Sequence, residues 1–120
     1  MLSYKLFGSG LPTLTVDALK DTATGLTATG STQNGALEVT SSQNAFSTVA
    51  SGTGAILDSD ASAGDSQMIY NGGANALTVY PPSGARINAL GTNAGMLLAT
   101  NTTCILYCIS STQWTGVLSA

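Results

Sequence analysis

Residues 70–89 read YNGGANALTVYPPSGARINA, and the reading of this stretch decides the fold. A short apolar run, Ala76 to Tyr80, stands between a glycine-rich turn and a double proline. Asn71-Gly72-Gly73-Ala74-Asn75 reads as a hairpin loop whose glycines take backbone angles that a β-branched residue resists. It joins a strand Gln67–Tyr70 to an antiparallel return over Ala76–Tyr80. Pro81-Pro82 removes two ladder donors, which a central strand does not tolerate, so the pair ends the strand and sets a corner. Ser83-Gly84 finishes the reversal, and Arg86-Ile87-Asn88 is a short piece beyond it.

The same rhythm runs outward in both directions. On the N-terminal side the candidate strands are Leu26–Thr29, Ala36–Val39, Ala45–Val49 and Ala55–Leu57. Gln33-Asn34-Gly35 supplies a hairpin turn signal between the first two. On the C-terminal side come Ala94–Thr100, Thr103–Ile109 and a closing strand Gln113–Leu118. Short strands with turn signals every 8–12 residues point to an all-β sandwich or jelly roll. The expectation is an all-β, jelly-roll-like β-sandwich of about eight antiparallel strands, residues 25–120, preceded by an N-terminal segment, residues 1–24. Residues 1–12, with Gly8, Gly10 and Pro12, read as an extended arm. LTVDALKD, residues 14–21, fits a strand or one helical turn. No fixed-period repeat is visible.

Within TTCILYCIS, Cys104, Leu106 and Cys108 face one way, and Ile105, Tyr107 and Ile109 the other. Both faces are apolar, so one fills the core and the other needs a cover from the N-terminal segment or another subunit. Four strand residues span about 13 Å, too far for a disulfide between Cys104 and Cys108. The two read as buried small hydrophobes.

Composition bounds the function. The chain has 120 residues, enough for one domain, and a mean hydropathy of +0.25. Only 8% of residues are charged and the net charge is −3, with Lys5, Lys20 and Arg86 the sole cations. Phosphate binding needs a cluster of cations, so nucleic acid is not an expected partner. Nor is a membrane, because no run approaches the ~20 apolar residues of a spanning helix. MLSYKLFGSGLP lacks the apolar core of a signal peptide, so assembly in a cytoplasm is expected. Few charges leave little repulsion to keep copies apart, which favours self-association.

There is no histidine, which removes Ser-His-Asp and Cys-His nucleophilic pairs and the His-containing zinc sites. Asp58, Asp60 and Asp65 share the loop DSDASAGD, which opens like a calcium loop but places its glycine seventh and Ile69 twelfth. It reads as a solvated turn with Asp65 bonded to local backbone. No enzyme activity, cofactor or metal is expected. Tyr70, Tyr80 and Trp114 are the aromatics available for a sugar platform, although on strands such residues pack across neighbours.

Read together from Gly52 to Val117, GTGAILDSDASAGDSQMIYNGGANALTVYPPSGARINALGTNAGMLLATNTTCILYCISSTQWTGV resembles a recurrent β-module of tailed-bacteriophage structural proteins. The resemblance rests on the acidic AGD loop, YNGGAN, the VYPPSG corner, Arg-Ile-Asn and the closing Ser-x-x-x-Trp. TATGSTQNGALEVTSSQNAFSTVASGTG also looks like the first hairpins of such proteins. Where the family has Ile-Asn-Gly after the corner, this chain has Ala89-Leu90 after Asn88, so that turn must be built differently. The resemblance implies a trimerising sandwich of capsid decoration (cement) proteins or of tail and fibre components. A single compact domain without a fibre shaft favours a decoration protein: a homotrimer on the outer capsid surface of the virion, bound to the major capsid protein and bridging capsomers. The alternative is a trimeric tail or fibre module that binds a host glycan. Leu2, Tyr4, Leu6 and Phe7 of the arm, with Ile105, Tyr107 and Ile109, are the expected subunit or capsid contacts.

Overall fold

The computed structural model describes residues 21–119. The expected arm, with Leu2, Tyr4, Leu6 and Phe7, lies outside these residues. The fold is all-β. Its strands are β1 (Thr22–Thr27), β2 (Leu37–Glu38), β3 (Gln43–Thr48), β4 (Gly54–Ile56), β5 (Ser66–Asn71), β6 (Leu77–Tyr80), β7 (Arg86–Ile87), β8 (Met96–Leu98), β9 (Thr102–Ser110) and β10 (Gln113–Leu118). One 3-10 turn, Gln33–Gly35, precedes β2. Among the described residues no helix is long and apolar enough to cross a membrane. β1 begins at Thr22, so the expected boundary between residues 24 and 25 falls inside it.

The strands build two sheets, one of six in the order β1-β3-β5-β9-β10-β7 and one of four in the order β2-β4-β6-β8. From β1 to β8 the chain alternates strictly between them. Within each sheet the first three strands run parallel: β1 beside β3 beside β5, and β2 beside β4 beside β6. The chain therefore winds as three coils, each giving one strand to each sheet, in a β-solenoid-like arrangement. Among the named strands of the described residues, antiparallel pairing enters with β6–β8, β5–β9 and β9–β10, β7 joins β10 in parallel, and a single antiparallel bridge links Thr29 to Gly54.

This corrects the expected antiparallel jelly roll. A parallel pair needs a crossover of a dozen or more residues. Here the crossover is a strand of the opposite sheet. The five residues between β5 and β6 are accordingly a coil corner, not a hairpin loop. Side-chain amides pin that corner: Asn71 Nδ2 donates to the carbonyls of Asn75 (2.8 Å) and Leu98 (2.9 Å), and Gly73 N donates to Asn71 Oδ1 (2.9 Å). Asn75 Nδ2 reaches Val49 O on the preceding coil at 2.9 Å. Gln33-Asn34-Gly35 likewise carries the chain from one sheet to the other instead of closing a hairpin.

The role of the glycines changes with the topology. Gly72 and Gly73 do not adopt positive φ. They are needed for close approach: a Cβ on Gly73 would lie 2.6 Å from Val49 Cγ2, and one on Gly72 would lie 2.9 Å from Phe46 O. The proline corner behaves as expected. β6 stops at Tyr80, Ala85 N donates to Pro82 O at 2.9 Å, and Gly84 takes φ +85°.

The core lies between the sheets. Phe46, Ile69, Cys104 and Leu106 come from the six-stranded side, and Ala55, Leu77, Val79 and Leu98 from the four-stranded side, all buried. Burying each large side chain contributes roughly 1.5–3 kcal/mol. Trp114, Ile87 and Ala85 close the core where β10 and β7 extend the larger sheet.

Candidate functional site

The expected two-sidedness of β9 is present. Cys104, Leu106 and Cys108 are buried in the core, whereas Ile105 (37%), Tyr107 (45%) and Ile109 (54%) remain exposed on the outer face of the six-stranded sheet. Strand register gives these residues neighbours. Met68 of β5 lies beside Ile105, and Val117 of β10, 63% exposed, lies beside it on the other side. Met68, Ile105 and Val117 thus form an apolar row across three strands, with adjacent Cβ atoms about 4.5–5.5 Å apart. Tyr107 sits one step along, flanked by Ser66 and Thr115. Tyr70, beside Thr103, extends the face at the other end, and its hydroxyl lies 3.5 Å from Asn101 Oδ1.

The alternate residues of β3, β5, β9 and β10 on this face include no charged side chain. The described acids, Asp21, Glu38, Asp58, Asp60 and Asp65, lie elsewhere, as does Arg86. Sequence reasoning found the β9 half of the surface from its alternation. It missed Met68 and Val117, because nothing local tells which strands flank β9.

The thiols on the inner side of β9 are both free. Burial pushes the Cys104 thiol up to about 11. Burial also raises Cys108, and the nearby Asp65 charge adds to the effect. Raised thiols in the core are neutral at pH 7 and unreactive.

The acidic loop borders a polar depression of about 380 Å³ lined in part by Asp21, Ser42, Asp58, Asp65 and Gln67. Asp21 and Ser42 were not expected there; they arrive because β1 and β3 are parallel neighbours. The lining carboxylates cap backbone. Asp21 Oδ2 accepts from Ser42 N (3.0 Å), Asp58 Oδ1 from Asp60 N (2.9 Å) and Asp65 Oδ2 from Ser62 N (2.8 Å). The expected local bond of Asp65 is the last of these. Among the described residues no three acidic or cysteine side chains stand close enough together to hold a metal ion.

The three aromatics of the sugar-platform alternative do not meet. Tyr70 alternates with buried Ile69 and faces outward from the six-stranded sheet. Tyr80 alternates with buried Val79 and faces outward from the four-stranded sheet. Its ring lies against Gly54 and Gly95, where an added Cβ would come within 2.8 Å and 3.1 Å of it. Trp114 is 1% exposed, inside the core. A stacking platform needs its rings on one surface, and these occupy three separate places.

No family model matches the chain, and searches of curated proteins and of solved structures found no match either.

Proposed function

We propose that this chain is a structural virion protein, a capsid decoration protein that associates as a homotrimer and bridges capsomers on the outer surface of a phage head. The observation that carries the reading is the uncharged apolar face of β5, β9 and β10. Its residues sit on a hydrogen-bonded sheet, so presenting them to a partner costs little ordering entropy. Depletion of charge with aromatic and Met residues present is the composition of an interface centre. The likeness of residues 52–117 to the phage β-module supports the virion context.

The mechanism is mechanical. Three strands about 4.8 Å apart and about six residues long present roughly 300 Å². A standard interface takes about 800 Å² per partner, so the Ser and Thr flanks complete the contact as a polar rim. Each trimer adds such contacts across a capsomer seam. Binding the expanded shell and not its precursor stabilises the expanded form by linkage.

Tyr107→Lys and Ile105→Lys, made separately, test the reading. Each places a charge on the exposed face without entering the core. The expected result is a monomeric mass by light scattering and at least tenfold weaker retention on purified expanded shells, with an unchanged circular dichroism spectrum. A wild-type chain that is monomeric at micromolar concentration, or variants that bind shells as well as wild type, would overturn it.

A further inference from the structure

Two Asn-Gly steps stand in the chain, Asn34-Gly35 and Asn71-Gly72, and both lie at corners where the coil passes from one sheet to the other. Each sequence carries the same latent chemistry. A glycine has no Cβ to crowd the approach of its backbone nitrogen to the preceding side-chain amide. Attack of that nitrogen on the Asn Cγ closes a succinimide ring. The N–Cγ bond forms, the Cγ–Nδ2 bond breaks, and Nδ2 leaves as ammonia with the proton of the glycine N–H. Water then opens the ring at either carbonyl, giving aspartate or its β-linked isomer. One water enters and one ammonia leaves, with no change of oxidation state.

The fold separates the two steps. Asn71 is fully buried and its amide is engaged on both sides: Nδ2 donates to the carbonyls of Asn75 and Leu98, and Oδ1 accepts from Gly73 N. Gly72 N, which would have to attack, donates to Phe46 O at 2.8 Å. Cyclisation there requires all of these bonds to break and the side chain to leave the core. Asn34 and Gly35 are both exposed, and among the described residues the Asn34 side chain makes no hydrogen bond. Gly35 N donates to Thr32 O at 3.2 Å, and the single 3-10 turn closes with a bond of 3.4 Å from Ala36 N to Gln33 O. An exposed single turn held by long bonds opens at little cost, whereas a buried corner opens at a cost approaching that of global unfolding.

We propose that Asn34 is a self-modification site of the folded protein, converting through a succinimide to aspartate and its β-linked isomer, while Asn71 stays inert until the chain unfolds. The β-linked product strains the corner. It routes the main chain through the side-chain carbon of residue 34 and lengthens it by one methylene. The residues on both sides are anchored. Gln33 Nε2 donates to Pro81 O (2.8 Å) and to Asn93 Oδ1 (3.1 Å). Gly35 O accepts from Thr29 Oγ1 (2.9 Å), and Gly35 lies so close to Gly30 that no Cβ would fit on Gly30. A lengthened chain cannot keep both anchors, so the product is a loosened first coil that carries one more negative charge.

The test uses the full chain alone, so its outcome is independent of the capsid reading. The protein is aged in mildly alkaline buffer made with heavy-oxygen water, either folded or in urea, and the uptake of heavy oxygen is followed by peptide mass spectrometry. The expected result is uptake at residue 34 at least about a hundredfold faster than at residue 71 in the folded protein, and comparable rates at the two in urea. Asn34→Gln should abolish the fast uptake. Equal rates in the folded protein would overturn the proposal, as would uptake at residue 34 that appears only in urea. A difference that persists in urea would also overturn it, because sequence and not fold would then set the rates. The separated β-linked form should unfold at lower urea than Asn34→Asp, which makes the same carboxylate without lengthening the chain; equal midpoints would contradict the loosened corner.

Discussion

Asn71 and Gly73 fix the corner between β5 and β6. Asn71 is fully buried and its amide serves three backbone groups. Asn71→Leu keeps the volume but strands two carbonyls and one N–H, each costing about 1–3 kcal/mol when buried. A loss of at least about 3 kcal/mol in urea unfolding is expected. Gly73→Ala drives its Cβ into Val49, at 2.6 Å from Cγ2 and 2.7 Å from the backbone nitrogen. A loss of about 1–3 kcal/mol is expected. Adding Val49→Ala should restore only part of it, because the backbone nitrogen stays in place. Cys104 gives a pH signature. Its folded thiol is raised above the ordinary 9.0 to about 11, so the unfolded chain releases that proton first. Stability is full below about pH 9 and falls as pH rises toward about 11. Cys104→Ala should flatten that fall in unfolding curves taken across the window. A glycine-bearing chain reversal at 71–75 was legible in the sequence, but the part played by the Asn71 and Asn75 amides was not. Nor was the reason for the glycines, since close approach between coils involves residues far apart in the chain.

Each candidate strand from Leu26 onward corresponds to a strand of the structure, with ends that differ by a few residues, as at β1, whereas LTVDALKD, residues 14–21, falls outside the described residues but for Asp21. Alternation with period two fixes a strand and its inner face, and it did so for β9 down to single residues. It carries no information on parallel or antiparallel pairing, so β5 and β6 read as a hairpin while lying in opposite sheets. The coil steps range from 18 to 25 residues, which hides the repeat. The turn after β7 shows how a departure from a familiar pattern is absorbed. Asn88 itself takes φ +52°, and its Oδ1 accepts from Gly116 N (3.0 Å) and Thr115 Oγ1 (3.1 Å). It thereby ties β7 to β10 without the glycine that the pattern expects next. Asn88→Ala loses these bonds and strains the backbone, for about 2–3 kcal/mol. Asn88→Asp keeps the acceptor and tolerates the conformation, and should cost under about 1 kcal/mol by thermal unfolding.

At the scale of the whole molecule, a core sealed at one end by Trp114 leaves an apolar sheet face outside it. Trp114→Ala opens the sealed end and should cost about 3–5 kcal/mol, whereas Tyr107→Lys on the outer face should leave the unfolding midpoint nearly unchanged. That contrast separates the residues that hold the fold from those proposed to meet partners. The β9 half of the face was legible because both parities of one strand were apolar. The flanking Met68 and Val117 became visible only with the strand order. The most direct measurement of the proposed role is the copy number of this chain in purified virions, relative to the major capsid protein, by quantitative mass spectrometry. A decoration protein predicts a copy number comparable to the shell subunit. A handful of copies, or none, would contradict it.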